Sequence, residues 1–328
     1  MWQVIGQPKA TGLLGRSIKT NQLSHAYLFV GPPHVGKFTL ALNLAQAVNC
    51  QAGEDVPCGE CAPCVRIAAG KHTDIQVIGP ASDGKRDIGR DQIEEMQAAA
   101  SLPPFEGRCK VFILDRAETL SHVAANRLLK TLEEPLPRVL IVLVSAREKD
   151  VLPTIVSRCQ RVELCPLPIP LVKQTLTKER GIDEESADLL ARLSGGCLGW
   201  ALLAIEDQEL VETRNQRLSE LIDVIRTKPA QRLAYAGELA SRFSKKRSDV
   251  EESLGLWVQW WHDLLLIKGG HGALITNVDQ QAMLSQQASD LSMKQIIDSV
   301  HHLQQAGRQL EQNANPRLAL EVLMLNLP

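Results

Sequence analysis

The run Gly31-Pro-Pro-His-Val-Gly36-Lys37 constrains this chain more than any other, because it fits G-x-x-x-x-G-K between a strand and a helix. Glycines at its ends let backbone N–H groups wrap a phosphate chain, and the lysine reaches the outer phosphates. Ahead of it, His25-Ala-Tyr-Leu-Phe-Val30 is a short apolar run that reads as a buried strand. Behind it, Phe38 to Val48 reads as a helix carrying Leu40, Leu42, Leu44 and Val48. The helix N-terminus adds a dipole that favours anions. Strand, loop and helix together predict a P-loop nucleotide fold, with Gly31, Gly36 and Lys37 at the phosphates.

The next residue departs from the motif. A hydroxyl is wanted there to hold magnesium, and the chain has Phe38. Thr39 comes one position late, which is about 100° around a helix. Lys110-Val-Phe-Ile-Leu-Asp115 reads as a second buried strand, and Asp115 at its end is the natural helper for magnesium. Hydrolytic sites place Glu directly after that Asp; here Arg116 follows, and Glu118 lies further on. These residues predict ATP or ADP bound without turnover, and Mg2+ held badly.

Other elements continue the pattern. Asp74–Ile78, Val139–Val144 and Arg161–Leu164 read as strands; Asp91–Ser101, a helix from Ser121 to about Glu134, and a short one over 150–158 lie between them. Such alternation predicts a parallel sheet covered by helices. After Pro166-Leu-Pro168 strand signals stop. The layout is an α/β P-loop domain over residues 1–166, a small helical lid over 167–207 and an all-α domain over 208–328.

Eight cysteines stand in a sequence in which no signal peptide is visible and no apolar run is long enough for a membrane helix, which predicts a cytoplasmic protein. In a reducing compartment clustered cysteines suggest a metal rather than disulfides. Cys50, Cys58, Cys61 and Cys64 offer four thiolates with C-x2-C turns, the donor set of structural Zn2+, within an insert over about 50–70. Four sulfurs leave no open position for catalysis, and His72 is a weaker rival ligand. Cys109, Cys165 and Cys197 read as buried, inert thiols. The net charge of -2 gives no global reason to bind nucleic acid. Arg242, Lys245, Lys246 and Arg247 read as a solvated helix face, Trp257, Trp260 and Trp261 as packing residues, and His301 and His302 as surface residues.

Longer runs carry a resemblance. Ala125-Asn-Arg-Leu-Leu-Lys-Thr-Leu-Glu-Glu-Pro135 and Leu152-Pro-Thr-Ile-Val-Ser-Arg-Cys159 resemble signature segments of the AAA+ clamp-loader family. Val4-Ile5-Gly6-Gln7 is similar to its adenine-side box, the cysteine insert is typical of bacterial members, and the run from Asn313 to Leu327 is similar to the last helix of the collar. The resemblance implies a subunit of a DNA-directed DNA polymerase holoenzyme, in an assembly with gamma/tau motor subunits and a delta subunit. That assembly would act on a sliding clamp and primer-template DNA. It places Ser145 at a sensor position and makes Arg158 an arginine finger acting in trans on a motor subunit's ATP. Phe38, Arg116 and Trp200, where motor members carry other residues, imply a stator with weak or absent turnover. The alternatives are an active ATPase of the motor type and a zinc-dependent DNA-binding module.

Overall fold

The computed structural model describes residues 2–53, 56–80, 87–312 and 314–328. Asn313, the first residue of the last run read above, lies outside the described residues, as do Met1 and positions 54 and 55 of the cysteine insert.

The chain begins with α1 (Pro8–Lys19), where Pro8 occupies a first-turn position whose N–H has no helical partner in any case. Next come β1 (Ala26–Val30), α2 (Lys37–Asn49), α3 (Ala62–Ala68), β2 (Ile75–Ile78), α4 (Arg90–Ala100) and β3 (Lys110–Asp115). Then follow α5 (His122–Glu133), β4 (Val139–Ser145), α6 (Pro153–Val156) and β5 (Gln160–Glu163). The five strands form one sheet in the order β2-β3-β4-β1-β5, and every described pairing is parallel. Helical crossovers cover both faces, so a central strand must be apolar throughout; all seven residues of β4 are buried. Side chains alternate between two cores, as the period of a strand requires. Ala26, Leu28 and Val30 join Phe112, Ile141 and Leu143 on one face. Tyr27 and Phe29 join Val111, Ile113 and Val142 on the other.

Local signals explain several boundaries. The Ser121 hydroxyl accepts the Ala124 N–H at 3.2 Å and caps α5 as read from the sequence. The helix expected over 150–158 shrinks to the single turn of α6, because 148–150 form a separate 3-10 turn and Pro153 starts the helix. The α1 helix went unread.

Asp74, just before β2, ties down the approach to β3. Its carboxylate accepts the N–H groups of Phe105 at 2.7 Å, Glu106 at 2.9 Å and Gly107 at 2.7 Å. Burial pushes this carboxyl up, but the amide bonds outweigh burial and hold it below the usual carboxylate range. The sign follows from linkage. The stability this group adds is present above the unfolded carboxylate pKa, about 3.9, and is lost as pH falls through the lower folded value. Asp74→Ala should therefore destabilise the protein by about 3 kcal/mol at neutral pH, read by urea unfolding, with the difference shrinking in acid.

The chain divides into two compact units, the first comprising residues 1–171 and 196–200 and the second 172–195 and 201–328. After Pro168 the elements are helices: α7 (Ile169–Arg180), α8 (Glu184–Leu193), α9 (Leu198–Glu206), α10 (Glu209–Ile225), α11 (Pro229–Lys245), α12 (Arg247–Lys268), α13 (Gln281–Asp290), α14 (Met293–Glu311) and α15 (Pro316–Asn326). The second unit's core centres on α12, whose Trp257, Trp260 and Trp261 are fully buried. Those indoles pack and do not stack on a ligand. Beside them the buried Asp263 accepts the N–H groups of Thr276 at 2.9 Å and Asn277 at 2.7 Å. Arg214 ties the same loop through Asp279 at 3.0 Å, so this buried guanidinium is paired, whereas the Asp263 carboxylate is met by amide N–H groups. Among the described residues no helix is long and apolar enough to cross a membrane.

Candidate functional site

Parallel register brings the nucleotide candidates to one rim of the sheet. Val30 pairs with Ser145, and Asp115 pairs with Val144, so the ends of β1, β3 and β4 lie side by side. Ligands in open α/β sheets sit at such carboxyl ends. The loop leaving Val30 is tightly fitted. A side chain at Gly31 would meet the Leu164 carbonyl oxygen at 2.3 Å, and Gly36 caps α2 with φ +102°. The N-terminal box packs alongside: Asn43 Oδ1 of α2 accepts the N–H groups of Gln3 at 2.7 Å and Val4 at 3.2 Å.

Lys37 is buried, and its ammonium donates to the carbonyls of Gly31 at 2.6 Å and Pro32 at 2.7 Å. The lysine thus sits on the loop's own oxygens. Burial pulls it below its ordinary value, opposed by the negative charges of Glu118 and Asp115. Glu118, whose aim the sequence left open, sends Oε2 into the interior, where it has no hydrogen-bond partner among the described residues. Phe38 is exposed and Thr39 half-buried. Arg116 adopts a left-handed conformation with φ +56°. The Ser145 hydroxyl is buried and donates to the Arg147 carbonyl at 3.0 Å, so it serves the local turn.

One contact had no sequence signal. The Gly199 N–H donates to the His34 carbonyl of the loop at 2.9 Å. A side chain at Gly199 would meet that oxygen at 2.6 Å, so only glycine allows the approach. The sequence drew attention to the neighbouring Trp200 instead.

The cysteines converge from three local elements. Cys50 ends α2, Cys61 precedes α3, Cys64 lies in its first turn, and Cys58 comes from the intervening loop. The four Sγ atoms lie within 4.8 Å of one another. Cys50 to Cys61 and Cys58 to Cys64 are each 3.9 Å. A tetrahedral ion bound to sulfur at about 2.3 Å requires sulfur–sulfur edges of about 3.8 Å, so the donor set fits. Backbone N–H groups support the sulfurs, Cys61 to Cys58 Sγ at 3.3 Å and Cys58 to Cys50 Sγ at 3.5 Å. The Cys61 N–H leads in pulling the Cys58 thiol down to about 6, whereas burial pushes Cys64 up to about 12. His72 stands outside this group; its Nδ1 accepts the Asp74 N–H at 3.2 Å.

Arg158 lies elsewhere. It precedes β5, whose first residue Gln160 pairs with Tyr27, while the phosphate loop follows Val30 at the other end of β1. At about 3.3 Å per residue, roughly 10 Å of strand separates the two rims. Its guanidinium pairs with Glu133 at 2.6 Å and donates to the Thr154 carbonyl at 2.9 Å. The side chain keeps 35% of its surface exposed.

Three sequence expectations need correction. Cys165 is exposed rather than buried, because it sits in the extended link after β5. Cys109 and Cys197 are half-buried, with thiols pushed up by burial, Cys109 to about 11. His302 is half-buried in α14, with Nδ1 unpartnered among the described residues, whereas His301 is exposed. The basic run is largely neutralised within the chain: Arg242 pairs with Glu220 at 3.2 Å, Lys246 with Asp249 at 2.8 Å and Arg247 with Glu251 at 2.6 Å. That pairing weakens its case as a nucleic-acid surface.

Known proteins share this sequence pattern. Family models described as DNA polymerase III, delta subunit, and as its C-terminal part match residues 6–168 and 208–328. The chain is 30% identical to DNA polymerase III subunit delta' of Bacillus subtilis (strain 168), over 98% of this chain and 96% of that protein. It is 28% identical to DNA polymerase III subunit tau of the same organism, over 99% of this chain but 60% of that protein. Tau of Escherichia coli (strain K12) is 33% identical over 68% of this chain and 35% of its own length. Among solved structures, a DNA polymerase III gamma-subunit-related protein of Thermotoga maritima aligns with TM-score 0.42 at 22% identity, covering 96% of this chain and 97% of that one.

Proposed function

The chain belongs to the DNA polymerase III delta-subunit family, and from that membership we propose that it is a delta-prime-type stator of a bacterial clamp loader. It supports ATP-driven loading of a sliding clamp onto primer-template DNA and stands beside gamma/tau motor subunits and delta in the cytoplasm. Arg158 is its catalytic residue, an arginine finger supplied in trans. The observation that carries this reading is the placement of Arg158 on the rim opposite the chain's own phosphate loop. A guanidinium there is separated from the loop carrying Lys37 by roughly 10 Å of strand, and it is half-exposed and available to a neighbour. In the neighbour's site it would offset negative charge developing on the transferred phosphoryl group.

The chain's own nucleotide site is retained as scaffold. Gly31, Gly36, Lys37, Phe38, Thr39, Asp115 and Ser145 lie on or beside the loop rim, yet Phe38 supplies no magnesium ligand and Ser145 is committed to its turn. ATP or ADP would bind without turnover, if Lys37 leaves the carbonyls it now holds. Cys50, Cys58, Cys61 and Cys64 hold one structural zinc, which fixes an insert too small to bury a core of its own. The lid over 167–207 and the collar over 208–328 serve as rigid support and subunit contact.

Identity to tau proteins favours one alternative, an active motor-type ATPase. Steady-state ATP turnover by the purified chain separates the two. The stator reading expects turnover near that of buffer alone, and the motor reading expects sustained turnover.

A further inference from the structure

We propose that Glu133 is the positioning residue for Arg158, an inference that rests on the arginine-finger reading above. Glu133 closes the last turn of α5, and Arg158 follows the single turn of α6. The ends of α5 and α6, whose Leu132 and Ile155 share one apolar core, are bridged at the surface by an ion pair, Arg158 Nη2 to Glu133 Oε1 at 2.6 Å. On the other side Nη1 donates to the Thr154 carbonyl at 2.9 Å and to the Ser157 hydroxyl at 3.3 Å. The guanidinium is held from both sides while 35% of the side chain stays in solvent.

Such a pair contributes little to folding. Both partners are substantially exposed, Arg158 at 35% and Glu133 at 52%, and exposed ion pairs are weakened by solvent and salt. Its effect lies in the geometry of a long, rotamer-rich side chain. An unrestrained arginine loses that freedom when it engages a phosphate, and a restrained one has lost it already. The carboxylate also competes with the phosphate for the guanidinium. Donor count decides between these effects. Arginine offers five N–H donors and the contacts named here use three of them, so it can meet a phosphate oxygen without leaving Glu133. Positioning therefore outweighs competition, and removing Glu133 slows the step that Arg158 assists.

The test is a double-mutant cycle on the reconstituted loader, with gamma/tau, delta, clamp and primed DNA from the same organism. Glu133→Ala should lower the single-turnover rate of ATP hydrolysis at the site Arg158 completes about fivefold, the scale of one exposed ion pair, with nucleotide affinity and assembly by analytical ultracentrifugation unchanged. In an Arg158→Ala background, Glu133→Ala should have no further effect, because it acts only through the arginine. Glu133→Gln, which keeps an acceptor without the charge, should recover most of the rate. Equal losses from Glu133→Ala with and without Arg158, or a faster rate, overturn the proposal. An undiminished rate in Glu133→Ala alone overturns it while leaving the finger intact. An unaffected Arg158→Ala complex removes the finger reading itself, and this inference with it.

Discussion

Arg158→Ala in this chain should reduce ATP turnover by the assembled loader by about 10³-fold at the site it completes, with assembly intact. The size follows from where the charge goes. In phosphoryl transfer the protein does little covalent chemistry, so catalysis is positioning and electrostatic stabilisation. A guanidinium delivered into a closed subunit interface acts in a medium of low dielectric, where it offsets far more than at an open surface. Its loss should leave the chain's own fold untouched, because its pair with Glu133 is solvent-exposed and its other two contacts are local to α6. Arg158→Lys should rescue poorly, since an ammonium lacks the planar fork that meets two phosphate oxygens. Total turnover of the complex would fall less than the single-site rate when other sites fire independently, so single-turnover measurements are the proper readout.

Metal removal should have the next largest effect. The purified chain should carry about one zinc ion, and Cys64→Ser should abolish its retention. Structural zinc in finger peptides contributes apparent free energies of about 10–16 kcal/mol near neutral pH, more than the stability of a typical domain. Beyond the sulfurs, the insert is tied to the domain by contacts such as the Gln46 side-chain N–H to the Cys64 carbonyl at 2.9 Å and Arg66 to Glu106 at 2.8 Å. Cys50 and Cys64 are buried, but of α3 only Ile67 joins the adjoining apolar core. Limited proteolysis should cut the metal-free chain within 50–70 while the sheet survives, because β1 and β4 pair directly with each other, from Ala26 with Ile141 to Val30 with Ser145. Full protection of the insert after stringent chelation would contradict a structural metal.

Much of this was legible in advance, for physical reasons particular to each element. The β4 run could be nothing but a central strand once helices covered both faces, and Ser121 announced the start of α5. The four cysteines declared themselves because C-x2-C spacing has few other uses. The α1 helix hid because Gly12 and Gly15 lower its propensity, and burial of Ala10 and Leu14, with Leu13 and Ile18 packed alongside, compensates. The exposure of Cys165 depends on its place in an extended link, which no periodicity reports. The Gly199 contact with His34 joins residues far apart in sequence through one backbone bond, and backbone bonds between loops leave no side-chain pattern. The Glu133 pairing was hidden in the same way: both residues stood within recognised runs, but only the fold sets one against the other.

The central claim is that the chain contributes to a neighbour's ATP site and not to one of its own. The most direct measurement is ATP turnover by the chain alone and by the complex carrying Lys37→Met in this chain only. Methionine keeps the aliphatic stem of the buried lysine and removes the ammonium that a bound nucleotide would require. The account predicts negligible turnover by the chain alone and an undiminished rate for the complex. Sustained turnover by the isolated chain, abolished by Lys37→Met and matched by a fall in the complex, would contradict it.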